Sequence, residues 1–178
     1  MDENLSKSVI KVFVDLYNKK LIYKAKKLVN WDVVLKTAIS DLEVDQREVN
    51  SQLYYINYPI ENSDKFITIA TTRPETMLGD TAIAVNPKDD RFKDLVGKFV
   101  IIPLANRKIK IITDDYADPE QGTGAVKITP AHDFNDYDVG IRNKLEVINI
   151  FTPDGKINDN APDPYKGLDR FAARKLIL

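Results

Sequence analysis

Two segments of this 178-residue sequence carry residue types and spacings that could do chemistry. The first is Thr71-Thr72-Arg73-Pro74-Glu75-Thr76-Met77-Leu78-Gly79-Asp80, directly after a β-branched run. Thr72 and Glu75 stand three apart around a proline, the spacing of a capping box, which predicts a short helix with free N–H groups at its mouth. Such donors suit a carboxyl, carbonyl or ribose oxygen. An ordinary capped helix start satisfies the same spacing. The second is Gly122-Thr123-Gly124-Ala125-Val126-Lys127-Ile128-Thr129-Pro130-Ala131-His132-Asp133-Phe134-Asn135-Asp136. Asp133 and Asp136 lie at helical spacing in the first turns of a helix that Thr129-Pro130 opens, where the helix dipole should hold both as anions. Two carboxylates beside a strand end suit a cation such as an ammonium group, although acidic residues are favoured in any first helical turn. Lys127 and Thr129 alternate with Val126 and Ile128, so their heads share one face. Gly122-x-Gly124 is too short for a nucleotide-binding glycine loop.

Composition limits what these residues can be. There is no cysteine and one histidine, His132, so thiolate nucleophiles, disulfides and cysteine-built metal sites are excluded. With no serine partner in view, a hydrolytic triad is not expected, and His132 reads as a hydrogen-bonded positioning residue. No metal and no cofactor is called for. Lys and Arg number 26 against 27 Asp and Glu, a net charge of −1, which argues against a dedicated nucleic-acid binder. No apolar run approaches the roughly 18 residues of a membrane span, and Met1-Asp2-Glu3-Asn4 lacks a signal pattern. A soluble, cytoplasmic monomer without membrane contact is the expectation.

The elements that must position the two segments are mostly strands. Val9, Val12, Phe13, Leu16 and Tyr17 predict an N-terminal amphipathic helix capped by Asn4 or Ser6. Short runs follow: Tyr55-Ile56, Phe66 to Ala70, Ala82 to Val85, and Phe99 to Pro103 paired with Lys108 to Ile112 around Ala105-Asn106. Ala125 to Thr129 and Val147 to Ile150 complete the strand list. Asn86-Pro87 to Gly97 reads as a short capped helix, Thr129-Pro130 to about Lys144 as a longer one burying Phe134, Tyr137, Ile141 and Leu145, and Leu168 to Leu178 as a last. Trp31 is assigned to the core. Strands with irregularly inserted helices indicate an α+β fold, barrel-like, with flanking helices.

Thr71 to Asp80 together with Gly122 to Asp136 resemble the paired signature of the editing domain inserted in class I aminoacyl-tRNA synthetases for branched-chain amino acids, in its valyl form. Leu28-Val29-Asn30-Trp31, Thr37 to Asp41 and Gly167 to Lys175 extend the resemblance over nearly the whole chain. It implies a linker and helix from the host enzyme at 1–48, and at 49–178 an editing domain. It implies hydrolysis of threonine esterified to valine tRNA, because a hydrophobic valine pocket rejects the isosteric threonine only about 10²-fold, a general value for valyl enzymes. The partners implied are the 3′-terminal adenosine of that tRNA and the rest of the synthetase. The resemblance places Asp136, supported by Asp133, on the substrate ammonium. It places Lys127, Thr129 and Asp133 near the threonine side chain or a water, and Thr72, Arg73 and Thr76 on the adenosine. With methionine only at 1 and 77, the class I activation signatures are absent from this chain. A tRNA-end binding module with little activity, a free-standing deacylase and an isoleucyl-type editing domain remain alternatives.

Overall fold

The computed structural model describes residues 2–178. In chain order the elements are α1 (Glu3–Asn18), β1 (Asn30–Asp32), β2 (Thr37–Ile39), β3 (Tyr54–Pro59), β4 (Phe66–Thr71), β5 (Ala82–Val85), β6 (Phe99–Ile101), β7 (Lys108–Thr113), β8 (Ala125–Ile128), α2 (Phe134–Asn143) and α3 (Arg170–Ile177). A 3₁₀ segment, Pro74–Gly79, joins β4 to β5. The fold is mixed α and β, as the residue pattern implies.

Ala82 to Val85 is buried on both faces because β5 is the inner strand of a four-stranded sheet ordered β6-β7-β5-β8. It runs parallel to β7 and antiparallel to β8, with Ile83 opposite Lys127 and Ala82 opposite Ile128. Its side chains alternate between two cores. Ile83 and Val85 join Tyr58, Ile67, Ile69, Val100 and Ile111 under the β3–β4 hairpin, while Ala82 and Ala84 meet Ile128 and Val139 on the α2 side. A third cluster of Met77, Leu78, Ile150, Ile157, Tyr165 and Ala173 packs the 3₁₀ segment against the C-terminal part.

The sheets do not close into a barrel among the described residues. Among the described residues the β3–β4 hairpin packs on the large sheet but pairs with it through one β-bridge, Ile60 to Val100, and β4 runs beside β8 without a hydrogen-bonded ladder. Barrel closure needs a continuous ladder. The unpaired seam between β4 and β8 is where the cleft described below opens.

Other expectations are corrected. The cap of α1 is Asp2, whose carboxylate accepts from Leu5 N, and not Asn4 or Ser6. Residues 86–97 form successive turns instead of a helix, with Asn86 Oδ1 accepting from Lys88 N and Gly97 at φ +84°. Residues 147–150 join no ladder; Ile150 N is spent on His132. Trp31 is 45% exposed and ties the β1–β2 hairpin to Pro153 O through its indole N–H, so it is not a core residue. The α2 helix starts at Phe134 under an Asp133 cap, not at Thr129-Pro130. Its inward face is Asp136, Val139 and Gly140, whereas Phe134 and Ile141 face solvent. Gly140 is where α2 meets Pro130: a Cβ there would lie 2.8 Å from the proline Cγ, so only glycine lets the helix approach this closely.

Candidate active site

All eight residues singled out in the sequence line one cleft of about 600 Å³: Thr72, Arg73, Thr76, Lys127, Thr129, His132, Asp133 and Asp136. Its walls are β4 and β8, its rim the Arg73–Thr76 turn, and one end the start of α2.

The floor is polar and buried. β8 presents Lys127, and Thr129 follows one alternation later, so both point to the same side, as the period-two spacing requires. Beneath them lies Asp80, which is fully buried. Its Oδ1 accepts from Lys127 Nζ at 3.1 Å and from Thr129 Oγ1 at 2.6 Å, and its Oδ2 accepts from the Tyr58 hydroxyl at 2.7 Å. Lys127 Nζ also donates to Thr129 Oγ1. Burial pushes the Asp80 carboxyl up, opposed by the Lys127 ammonium and the two hydroxyls. The Lys127 ammonium at 3.1 Å and the two hydroxyls that donate to the carboxylate oppose that burial and favour the anion at Asp80.

Asp136 and Asp133 differ sharply despite their spacing. Asp133 is exposed and its Oδ1 caps α2, accepting from Asn135 N at 2.8 Å and Asp136 N at 3.2 Å. Asp136 is 5% exposed, and its Oδ2 accepts from Thr129 N at 2.8 Å. Burial pushes Asp136 up to about 6, with Lys127 and the Thr129 amide pulling the other way. The dipole argument alone predicts two ordinary anions; desolvation outweighs it at Asp136.

The rim departs from the capping-box expectation. The Thr72 side chain does not cap the 3₁₀ segment, whose first position follows Arg73 without a side-chain cap. Arg73 N is bonded to Thr71 Oγ1 and Thr76 N to Arg73 O, so these two amides are already engaged. Thr76 Oγ1 donates to Arg73 O, and Arg73 Nη1 to His132 O at 2.8 Å, which stitches the two signature segments together. Glu75, instead of reaching back to Thr72, takes a two-pronged hydrogen bond from Arg174 of α3, both contacts at 2.7 Å.

His132 is a positioning residue in geometry. Its Nε2 accepts from Ile150 N at 3.0 Å, its ring meets Phe151 edge-on at 4.7 Å, and burial, aided by Arg73 and Lys127, holds it down at about 3. The lone pair a general base would use is occupied. Sequence reasoning missed Asp80 and Tyr58 as parts of the floor. The available signal was a charged residue closing the apolar run Met77-Leu78-Gly79 before a buried strand.

Similarity to known proteins extends over nearly the whole chain. The profile described as tRNA synthetases class I (I, L, M and V) matches residues 1–162. A valine–tRNA ligase of Pelagibacter ubique (strain HTCC1062) is 79% identical over the whole chain, which covers 20% of that protein. One from Lactococcus lactis subsp. lactis (strain IL1403) is 58% identical, again over the whole chain and 20% of the relative. The fold resembles the LeuRS of Agrobacterium radiobacter K84 solved in a ternary complex with tRNA and LeuAMS: TM-score 0.58 and 22% identity, over 94% of this chain and 29% of that one. This chain thus spans about a fifth of the length of the ligases it matches. On the match across residues 1–162 and on identities of this size, the chain belongs to the class I tRNA synthetase family of the I, L, M and V enzymes.

Proposed function

We propose that residues 49–178 hydrolyse the ester of threonine mischarged onto valine tRNA, and that 1–48 is the helix and linker joining them to a longer synthetase. The observation that carries the reading is the gathering of both signature segments around one cleft with two carboxylates, an ammonium and a threonine hydroxyl. An aminoacyl ester is already activated, so the site needs only to hold it, aim a water and stabilise developing charge. Asp136 binds the α-ammonium, and Asp133 supports it by fixing the first turn of α2 on which Asp136 sits. Lys127 and Thr129 read the side chain. Arg73, Thr72 and Thr76 hold the terminal adenosine at the rim. His132, with its ring nitrogen engaged, keeps Arg73 and the Ile150 segment in register. The attacking water is activated by position, without a covalent intermediate.

The test is deacylation of threonyl-tRNA specific for valine by the 178-residue chain and by Asp136→Ala. A loss of about 100-fold or more is expected for the variant, since an ammonium in water-excluded surroundings is left unpaired. Equal rates overturn the role of Asp136. A second reading is a module that binds the tRNA end with little turnover in isolation; the net charge of −1 implies that such binding by this chain is weak, because phosphate contacts supply most non-specific affinity. Filter binding beside deacylation separates the two.

A further inference from the structure

Three donors from three places in the fold converge on Asp80: Lys127 of β8, Thr129 just beyond it, and Tyr58 of β3. We propose that Asp80 is a positioning residue that fixes the direction of the hydrogen bonds Lys127 and Thr129 offer to the substrate, making the cleft complementary to a side-chain hydroxyl and hostile to a methyl group. The inference rests on the deacylase reading above and names the selectivity device of that site.

The argument is a count of protons and lone pairs. Asp80 is fully buried and does not line the cleft. Its position is fixed from outside: Arg107 Nη1 donates to Asp80 O at 2.6 Å and Nη2 to Leu78 O at 2.9 Å, while Tyr58 holds Oδ2. An ionised carboxylate only accepts, so the Thr129 hydroxyl must point its single proton at Asp80. One lone pair of that hydroxyl is then taken by Lys127, and one is left for the cleft. Lys127 has three N–H bonds, one to Asp80 and one to Thr129, and the third remains. The floor therefore shows the cleft one donor and one acceptor side by side. A threonine hydroxyl, which both donates and accepts, satisfies the pair at once. The isopropyl group of valine buries both unpaired, the situation in which a polar site rejects an isostere lacking its hydroxyl most strongly.

Asp80→Asn tests this in the 178-residue chain. An amide in place of the carboxylate can present N–H to Thr129, and the obligate proton direction is lost. The measurements are kcat/KM for threonyl and valyl esters of valine tRNA, and calorimetric binding of the non-hydrolysable threonyl- and valyl-amide analogues of adenosine. The threonyl preference is expected to fall at least about tenfold, through the threonyl arm, with the valyl arm little changed. An unchanged ratio in a folded variant overturns the proposal, and so does a uniform fall of both arms, which marks a merely structural role. Tyr58→Phe removes one hydrogen bond from the same carboxylate and is the second variant should Asp80→Asn not fold; it shifts the ratio in the same direction by about threefold. If the parent chain hydrolyses neither ester, the deacylase reading fails while the analogue binding ratio still decides the role of Asp80.

Discussion

The N-terminal helix and the cleft invert the usual relation between residue type and burial. Along α1, Val9 and Phe13 are each 61% exposed and no residue is buried. Around the cleft Glu75, Asp80, Lys127, Thr129 and Asp136 are all buried, with Asp80 at 0%. Amphipathic pattern made the first a helix without giving it a place to pack. In the second, each buried polar group meets a partner, and no buried side-chain nitrogen or oxygen among the described residues is left without one. A buried charge must be held by other groups or it would not stay. The contrast locates where this chain is over-determined.

Breaking a buried pair is the largest test of that statement. Arg174→Ala leaves the Glu75 carboxylate, whose side chain is 1% exposed, with only the Arg73 guanidinium at 3.8 Å. A loss of about 3 kcal/mol in urea unfolding is expected. Glu75→Ala should cost less, because the Arg174 side chain keeps 25% exposure and can reach water. Replacing both by Leu and Met should recover most of the loss. A neutral Arg174→Ala would mean that partnered charge is not what holds the rim to α3.

The next effect is a pair of opposed pH slopes inside the same region. Asp136 is pushed up to about 6 and His132 held down at about 3. Their unfolded values are about 3.9 and 6.5. Between about pH 4 and 6 the unfolded chain therefore carries the proton on His132, and the folded chain carries it on Asp136. Acidification through this window costs stability through His132 and returns it through Asp136, each by about 1.4 kcal/mol per pH unit, so the two cancel. Asp136→Asn should expose the histidine slope, losing on the order of 2 kcal/mol more than the parent between pH 6 and 4. His132→Gln should show the opposite sign. Parallel profiles in all three proteins would remove the burial argument for both groups. Threonyl kcat/KM, which reports the free site, should fall as pH drops below about 6 while stability does not, because ammonium binding needs the ionised Asp136.

Local pattern made some of this legible and long-range pairing hid the rest. Short β-branched runs bounded by turn residues mark Phe66 to Ala70, Ala82 to Val85 and Ala125 to Ile128 as strands. Both signature segments point to the cleft residues by type and spacing. The inward face of α2 was not legible: Phe134, Tyr137 and Ile141 form the more apolar stripe, yet Val139, Gly140 and Asp136 are the ones β8 and Pro130 cover. Asp80 was hidden for the same reason, since its partners lie 22, 47 and 49 residues away. Glu75 satisfied the capping-box spacing, but an arginine 99 residues on claims it. A two-pronged guanidinium bond in a buried setting outweighs a cap.

The smallest effect should come from the region with the most exposed apolar surface. Val9→Ser with Phe13→Ser removes two large side chains from α1, but neither is buried against the rest of the chain, so there is almost no transfer free energy to lose. Serine, valine and phenylalanine have similar helix propensities, so the helix itself is little affected. The Asp2 cap and the Lys7–Glu3 and Lys11–Asp15 pairs stay in place. The change in unfolding free energy should stay within about 0.5 kcal/mol, and threonyl ester hydrolysis should be unchanged. A 16-residue helix without tertiary packing is near the limit of stability in water. Amide exchange over 3–18 should accordingly be fast in the parent and the variant alike, while the amides of the inner strand β5 exchange only with global unfolding. A cost above about 1 kcal/mol, or slow exchange in α1, would show that its apolar stripe is docked on the body and that the two regions do not differ in the way their burial implies.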